Sequence, residues 1–331
     1  MASEPEATAA ESACICALYA RATERAALGS ARWLGAGNQG NAEEAAFSGM
    51  RSALVDLPVT GRIVIGASDD GDELAAGDEI GAGPEAVDLA LDPLEGRGVV
   101  ARGGLGAMSM IAVGNRGALP VMPDMYMRQI AVGPRAHGAI DLRRPVAENI
   151  QAIAEAFGRS VNDVTTIVLD RPRHHDLIED IRRSGARIKL IPDGTVTAAI
   201  SAAIRGTNDH LAIGIGGTRQ AVLTAAALRC LGGELQAQIW PTSRRDIDVA
   251  KEHGIDDIER VFTIDDLAPG EIIFAATGVS NGDLLRGVRF LADSARTHSL
   301  VMCTRCNWVR FVDGIHFFAR ERREEVRLLG Y

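Results

Sequence analysis

Acidic side chains form three clusters along the sequence, and their types and spacing suit the binding of divalent cations. The clusters are Glu43 with Glu44, the run Asp-Asp-Gly-Asp-Glu at 69–73, and Asp88 with Asp92 and Glu95. Hard cations such as Mg²⁺ take several carboxylate oxygens from different segments. A pair of such cations can position an attacking water and neutralise the leaving oxygen of a phosphate ester. In Asp-Pro-Leu-Glu-Gly at 92–96, the proline stiffens the turn and the glycine lets backbone approach a phosphate. A solvated acidic loop is the alternative interpretation.

Three other loops suit anions. RPRHHD at 171–176 and GIGGTR at 214–219 each lie where a strand pattern passes into a helix pattern, and PDG at 192–194 lies at an equivalent strand end. The N–H groups of a helix N-terminus beside an arginine favour phosphate. The glycine run does not match the dinucleotide fingerprint. Arg173 is explained as well by surface charge, and His174 and His175 are better explained as helix-cap residues than as catalytic bases.

The cysteines number five, an odd count that favours free thiols in a reducing compartment over a disulfide framework. Cys303 and Cys306 have the spacing of half a zinc site, but the other half would have to come from scattered Cys or His. We therefore expect cysteines carried on strands, with zinc or redox use as the weaker alternative.

Composition limits the classes of function. The chain has 331 residues, 47% hydrophobic and 24% charged, with a net charge of −9. The acidic balance argues against nucleic acid or an anionic membrane as partner. No apolar run approaches a membrane span, and the first residues lack the pattern of a signal peptide, so a cytoplasmic protein is expected.

The elements that must position these loops follow from periodicity. Helical spacing covers residues 5–33, and Asn38 or Asn41 is expected to cap a second helix that ends before Pro58. Strands are predicted at 62–67, 86–92, 108–114, 164–170, 187–193, 211–217, 272–278 and within 299–312. Helices are expected to begin near residues 173, 196 and 218. Alternation of strand and helix after residue 140 predicts a sheet covered by helices.

A series of collinear motifs resembles the class II fructose-1,6-bisphosphatases from about residue 12 to about residue 318. The motifs are WLG at 33–35, IVIG at 63–66, VDLALDPLEG at 87–96, PDMYM at 123–127, RPRH at 171–174, IPDG at 191–194, GIGG at 214–217, ATG at 276–278 and GDLL at 282–285. The resemblance implies the α/β sugar-phosphatase fold shared with inositol monophosphatases. An α+β metal-site domain is expected over residues 1–140 and an α/β substrate-binding domain over 141–331. The resemblance also implies Mg²⁺ or Mn²⁺, a sugar phosphate as partner, and a homodimer or homotetramer.

The resemblance assigns candidate roles residue by residue. Asp92 and Glu95 match metal-binding carboxylates, and Glu43 falls where the family has a metal-binding aspartate. The predicted substrate-binding residues are Glu95, Gly96, Arg97, Tyr126, Arg171, Arg173, Asp193 and Gly217.

Departures from the family concentrate at the predicted reaction centre. Ala67 replaces a metal-binding glutamate, in a loop about two residues shorter than the family's, and Gln220 and Gln39 replace a glutamate and a lysine. Arg97 stands where the family has a threonine that helps orient the attacking water. If Arg97 points inward, its guanidinium is expected to pair with Asp92, Glu95 or the substrate phosphate. If it points outward, a carboxylate of the shortened loop substitutes as ligand, which makes Asp69 and Asp70 catalytic candidates beside Arg97.

Two functions are compatible with these residues. The first is metal-dependent hydrolysis of a sugar phosphate or bisphosphate at a rebuilt metal site. The second is a paralogue that does not hydrolyse its ligand and binds sugar phosphates as a regulator or a subunit of a complex, or performs a different reaction on a phosphorylated sugar.

Overall fold

The computed structural model of the protein describes residues 15–66 and 74–318. The helices in this part of the chain are α1 (Cys16–Ser30), α2 (Gln39–Leu54), α3 (Arg97–Ala101), α4 (Val146–Phe157), α5 (His175–Ser184), α6 (Thr195–Ala203), α7 (Thr218–Leu231), α8 (Arg244–Glu252) and α9 (Ile264–Leu267). The strands are β1 (Val59–Ile65), β2 (Glu79–Ile80), β3 (Glu85–Glu95), β4 (Met108–Asn115), β5 (Tyr126–Val132), β6 (Thr165–Leu169), β7 (Arg187–Ile191), β8 (Leu211–Gly217), β9 (Glu234–Ile239), β10 (Val261–Thr263), β11 (Ile272–Gly278), β12 (Arg289–Phe290), β13 (Ser294–Cys303) and β14 (Trp308–Phe317).

The strands form two mixed sheets. The first has the order β12-β13-β11-β4-β3-β1-β2, with β14 paired to β13, and the second has the order β10-β9-β5-β8-β6-β7. Parallel pairs join β1 to β3 and β6 to β7 and β8, whereas the other paired strands are antiparallel. The predicted mixed α/β architecture is confirmed.

Helices cover both sheets and fill the space between them. One buried cluster joins α1 and α2 to the first sheet, a second joins α6 and α7 to both sheets, and a third joins α4 and α5 to the second sheet. Gly49 allows α2 to approach α1, since a Cβ there would lie 2.4 Å from the carbonyl oxygen of Arg25. The result is a layered order of helices, sheet, helices, sheet and helices.

The predicted helices and strands match the structure in most positions. The Asn38 side chain caps α2 by accepting a hydrogen bond from the Asn41 amide. The first helix covers Cys16–Ser30, and the part predicted at 5–14 lies outside the described residues. The stretch 299–312 is divided between β13 and β14 by a tight turn. Cys303 ends β13 but Cys306 lies in that turn, so the expectation of two strand-borne cysteines is wrong for Cys306.

The first sheet takes strands from both ends of the chain. β11 to β14 follow all the strands of the second sheet in sequence but pair within the first sheet, and β5 of the second sheet precedes residue 140. The division at residue 140 into two independently folding units stays a prediction. None of the helices in the described part of the chain is long and apolar enough to cross a membrane.

Candidate metal and phosphate site

A cleft of about 1060 Å³ brings the predicted site residues together. Its walls come from α2, the ends of β1, β3, β6 and β8, and the first turns of α6 and α7. The predicted residues that line it are Glu43, Asp92, Glu95, Gly96, Arg97, Tyr126, Arg171, Arg173, Asp193 and Gly217. Asp69 and Asp70 lie outside the described residues. Their flanking residues Gly66 and Leu74 both line the cleft.

Gly66 and Leu74 approach each other closely at the end of β1. A Cβ on Gly66 would lie 2.0 Å from the carbonyl oxygen of Leu74, so any other residue would force the backbone apart. Gly66 and Leu74 are therefore in close contact at the cleft wall, and glycine is required at position 66.

The carboxylates of Asp92 and Glu95 belong to the end of β3. The pairing of β3 with β4 is irregular between Asp92 and Glu95, which fits the proline between them, because proline cannot donate to a ladder. Gly96 then takes a left-handed conformation with φ 91°, and α3 begins at Arg97. The irregularity and the turn direct both carboxylates into the cleft.

Burial and like charge raise the pKa values of these two groups. Burial raises the pKa of Asp92 to about 6, with further contributions from Asp193 and Glu43, while Arg219 acts in the opposite direction. Burial and the Asp92 carboxylate raise the pKa of Glu95 to about 8. The carboxylates therefore lie close enough to repel one another, and a bound cation would relieve that repulsion.

Glu95 is also held by the N-terminus of α6. Its Oε1 accepts a hydrogen bond from the Val196 amide at 3.0 Å. Its Oε2 accepts from the Thr197 amide at 3.3 Å and from the Thr197 hydroxyl at 2.7 Å. These donors favour the ionised carboxylate and fix its orientation. Because a carboxylate has about four acceptor positions, about one stays available for a cation.

The guanidinium of Arg97 pairs with Glu43, at 2.9 Å between Nη1 and Oε2. The Arg97 side chain is 59% exposed and that of Glu43 34% exposed. Neither predicted orientation describes this contact: the inward orientation named Asp92, Glu95 or the substrate, and the outward one left Glu43 to the metal. The structure thus places Arg97 on a carboxylate that was itself predicted to be a metal ligand.

A second guanidinium near the carboxylates belongs to Arg219 in the first turn of α7. Its Nη1 donates to the Gly66 carbonyl oxygen at 2.5 Å, and its charge lowers the pKa of Asp92. The sequence indicated an arginine for anions at this turn but did not assign it to the carboxylates. Gln220, the next residue, also lines the cleft.

The same cleft carries the predicted anion-binding groups. Arg173 lies over the Tyr126 ring at 5.2 Å from its centroid and donates to the Ile215 carbonyl oxygen at 3.0 Å. Arg171 pairs with Asp193 at 3.9 Å and remains partly exposed. The two guanidinium groups are thus oriented by neighbours while keeping donors for a ligand.

His174 has a structural role. Its Nε2 accepts from the Ile215 amide at 2.8 Å, so the proton resides on Nδ1, which lies 2.8 Å from the Leu169 carbonyl oxygen. Burial lowers the pKa of His174, which keeps the ring neutral. The preference for a non-catalytic interpretation agrees with these contacts, although His174 is buried rather than partly exposed.

The donor set fits a hard divalent cation. Glu43, Asp92 and Glu95 offer carboxylate oxygens from two separate segments, the ligand type that Mg²⁺ and Mn²⁺ prefer, although the oxygen atoms of the three residues do not all lie within 4.8 Å of one another. Carboxylates and guanidinium groups that line one cleft are the groups expected in the class of metal-assisted proteins that bind phosphate esters.

Comparison with known proteins identifies the family. The family model described as "Bacterial fructose-1,6-bisphosphatase, glpX-encoded" matches residues 15–316. A "D-fructose 1,6-bisphosphatase class 2/sedoheptulose 1,7-bisphosphatase" from Synechococcus sp. (strain JA-3-3Ab) is 42% identical over 321 residues, covering 88% of this chain and 92% of its own. A protein of the same description from Crocosphaera subtropica (strain ATCC 51142 / BH68) is 40% identical over 332 residues, covering 92% and 96%. The chain belongs to the glpX-encoded, class II fructose-1,6-bisphosphatase family, as the collinear motifs predicted.

Proposed function

We propose that the protein hydrolyses a sugar bisphosphate, or a related sugar phosphate, with the help of a divalent cation bound at a rebuilt site. The observation that carries the proposal is that one cleft is lined both by Asp92, Glu95 and Glu43 and by Arg171 and Arg173. A bisphosphate offers one phosphate to the cation held by the carboxylates and the other to the guanidinium groups. The relatives are named for fructose 1,6-bisphosphate and sedoheptulose 1,7-bisphosphate, which makes these two compounds the first substrates to test.

The guanidinium groups of the cleft bind the phosphate that does not react. Arg171 and Arg173 supply charge-assisted donors, and the Tyr126 ring beneath Arg173 restricts that side chain. Asp193, which accepts a hydrogen bond from the Gly194 amide, stands beside Arg171 and is suited to receive a sugar hydroxyl. The backbone at Gly217, at the start of α7, completes the binding site for this phosphate.

Asp92, Glu95 and Glu43 would hold Mg²⁺ or Mn²⁺, and the cation would supply charge neutralisation and lower the pKa of water. Val196 and Thr197 hold Glu95 in place and oppose the rise in its pKa that burial causes. Asp69 and Asp70 stay candidates for the groups lost with the family's glutamate at position 67.

Arg97 and Gly96 contact the reacting phosphate in this proposal. The turn at Gly96 exposes backbone to the cleft, and Arg97 follows it directly. If Glu43 held a cation, the Arg97 guanidinium would be released from that carboxylate and could contact a phosphoryl oxygen. A fixed cation then stabilises negative charge where the family uses a threonine hydroxyl.

Phosphate release tests the hydrolase. The assay measures inorganic phosphate from both bisphosphates and from a series of sugar monophosphates, with Mg²⁺, with Mn²⁺ and with a chelator. We expect release that requires a cation and falls at least about 100-fold in Asp92→Asn. Asp176→Asn, which changes a carboxylate fully exposed on α5, serves as the matched control. Release that is equal in both variants, or that ignores the chelator, contradicts the proposal.

A second function is favoured by one specific observation, the ion pair between Arg97 and Glu43, together with the neutral Gln220. These features weaken the proposed metal site, whereas Arg171 and Arg173 keep their donors for an anion. Such a combination is expected in a protein that binds sugar phosphates without hydrolysis. Titration calorimetry distinguishes the two functions. Bisphosphate binding that depends on Arg171, with no turnover under any metal condition, would establish the second one.

We further propose a cytoplasmic homodimer or homotetramer. Val309, Phe311, Ile315 and Phe317 alternate along β14, so they share one face, and each is exposed by more than a third. β14 is an edge strand of the first sheet as described. We propose that a second copy of this chain covers its exposed face. Light scattering of the wild type and of Phe311→Asp measures the mass. A monomeric wild type contradicts the oligomer, and an unchanged mass in the variant contradicts this face.

A further inference from the structure

Cys16, Cys303 and Cys306 meet at a position that takes no part in the proposed hydrolysis. Their sulfur atoms all lie within 4.8 Å of one another, and all three side chains are buried. Cys16 begins α1, whereas Cys303 ends β13 and Cys306 lies in the turn from β13 to β14. We propose that these cysteines bind a zinc ion, or another soft divalent cation, that fastens the start of α1 to this turn.

The separation of the sulfur atoms suits zinc. Zinc bonds to thiolate sulfur at about 2.3 Å in a tetrahedral arrangement, which places ligating sulfur atoms about 3.8 Å apart. Three sulfur atoms within 4.8 Å reach that spacing through small side-chain adjustments.

The turn between β13 and β14 is shaped to present two sulfur atoms on one side. The Cys306 amide donates to the Cys303 sulfur at 3.4 Å, which orients that sulfur within the turn. Asn307 takes a left-handed conformation with φ 50°, and its amide lies 3.3 Å from the Thr304 carbonyl oxygen. Thr304 is itself bonded to Ile272 of β11 through its amide and its hydroxyl. The sheet thus holds the turn in place before any ion binds.

Cys230 provides an internal comparison, because it is a cysteine of the same region with the opposite character. Its thiol donates to the Ile272 carbonyl oxygen at 3.6 Å, a bond that requires the proton. Burial raises the pKa of Cys230 to about 12. Cys230 therefore stays a thiol, whereas the Cys303 sulfur receives a donor.

The environment of the three cysteines suits a structural ion rather than a catalytic one. They form a buried cluster with Ile273 and Trp308 packed against it, and structural zinc sites are closed in this manner. No cysteine is among the described residues that line the large cleft. The two ligand segments stand near opposite ends of the described chain, so an ion that joins them closes a very long loop and restricts the unfolded chain.

Metal analysis of the full-length protein purified under reducing conditions tests the proposal. We expect about one zinc per chain in the wild type, retained in Cys230→Ser and in Asp92→Asn. We expect at least a tenfold loss in the double variant Cys303→Ser with Cys306→Ser, and in Cys16→Ser. Equal zinc in the double variant and the wild type would overturn the proposal. The proposal would also be overturned if the wild-type protein contained no zinc after exposure to zinc and thiol titration found a disulfide among these cysteines.

Cobalt substitution needs no variant, and so guards against variants that fail to fold. Co²⁺ added to the chelator-treated wild type is expected to give the visible bands of a tetrahedral ion and thiolate-to-cobalt charge transfer in the near ultraviolet. Carboxylate ligands of the cleft do not give the charge-transfer band, so its persistence in Asp92→Asn assigns it to the cysteines. Absence of the band in the folded wild type would overturn the proposal. Removal of the ion is expected to lower the melting temperature by about 5 °C or more, with the secondary structure retained.

Discussion

Replacing Arg97 by threonine tests whether its ion pair with Glu43 weakens the binding of a divalent cation. The Arg97 nitrogen and the Glu43 oxygen are 2.9 Å apart. A cation bound to the same carboxylate at about 2.2 Å would stand about 5 Å from the guanidinium. With the dielectric constant of water, a single and a double positive charge at about 5 Å repel by about 1.7 kcal/mol. Screening at physiological salt reduces this repulsion to about 0.9 kcal/mol.

The cation must also break the ion pair. Because both side chains are substantially exposed, the pair contributes only about 0.5 kcal/mol. The repulsion and the ion pair together amount to about 1.4 to 2.2 kcal/mol, so Arg97→Thr is expected to bind Mn²⁺ roughly 10- to 40-fold more tightly than the wild type. The gain in affinity should be largest at low ionic strength, because salt screens the repulsion between the guanidinium and the bound cation.

Titration calorimetry, or the loss of the free Mn²⁺ signal in electron paramagnetic resonance, measures this affinity at two salt concentrations. Arg102→Thr removes the same charge from the residue that follows the same helix and serves as the matched control. The triple variant Arg97→Thr, Ala67→Glu, Gln220→Glu is expected to bind still more tightly. An unchanged dissociation constant in Arg97→Thr, or an equal gain in Arg102→Thr, would refute the reasoning.

Three further predictions concern the groups around the cleft. Glu95→Ala leaves the Val196 and Thr197 donors without their acceptor, so urea unfolding with chelator present should show a loss of about 2 to 3 kcal/mol, while Glu95→Gln, which keeps an acceptor oxygen, should lose less; equal losses would contradict the role of these bonds. Arg171→Gln should weaken bisphosphate binding about tenfold by calorimetry, against no change in the surface control Arg182→Gln, and equal affinities would remove Arg171 from the site. The lowered pKa of His174 means that the unfolded chain takes up the proton first as pH falls, so this group's contribution is full above the usual histidine pKa and declines below it. The difference in unfolding free energy between wild type and His174→Asn should therefore narrow from pH 7.5 to pH 5.5, and a constant or widening difference would contradict the buried neutral ring.

Much of the local structure could be predicted because it depends on neighbours in sequence. The apolar runs that became β6, β7 and β8 carry their own periodicity, and the Asn38 cap acts within one turn of α2. The strands predicted within 299–312 are present, but the position of the turn that separates them depends on contacts of Thr304 with Ile272, which is distant in sequence. Residues 5–14 and the loop carboxylates Asp69 and Asp70 stay predictions.

The pairing of the cleft residues could be predicted only in part. Residue types and motifs assigned the carboxylates to a metal ion and the arginines to phosphate. All the candidates among the described residues line one cleft. The partner of Arg97 was missed, because Glu43 is 54 residues away on another helix and nothing local favours it over Asp92 or Glu95. Arg219 was likewise interpreted as an anion ligand, since its proximity to Asp92 and the Gly66 carbonyl arises only when α7 packs between the sheets.

The sequence by itself determined the family, the mixed α/β class and the chemical types gathered at the cleft, because collinear motifs and short-range periodicity are properties of the chain as written. The tertiary structure decided which charges neutralise one another and which sulfur atoms meet. Arg97 forms an ion pair with Glu43, and the Val196 amide of α6 donates to Glu95, which is 101 residues away in sequence. Cys16 lies beside Cys303 and Cys306, which are near the other end of the described chain. Such contacts depend on the order of strands in two sheets that interleave both ends of the sequence, and no local pattern encodes that order.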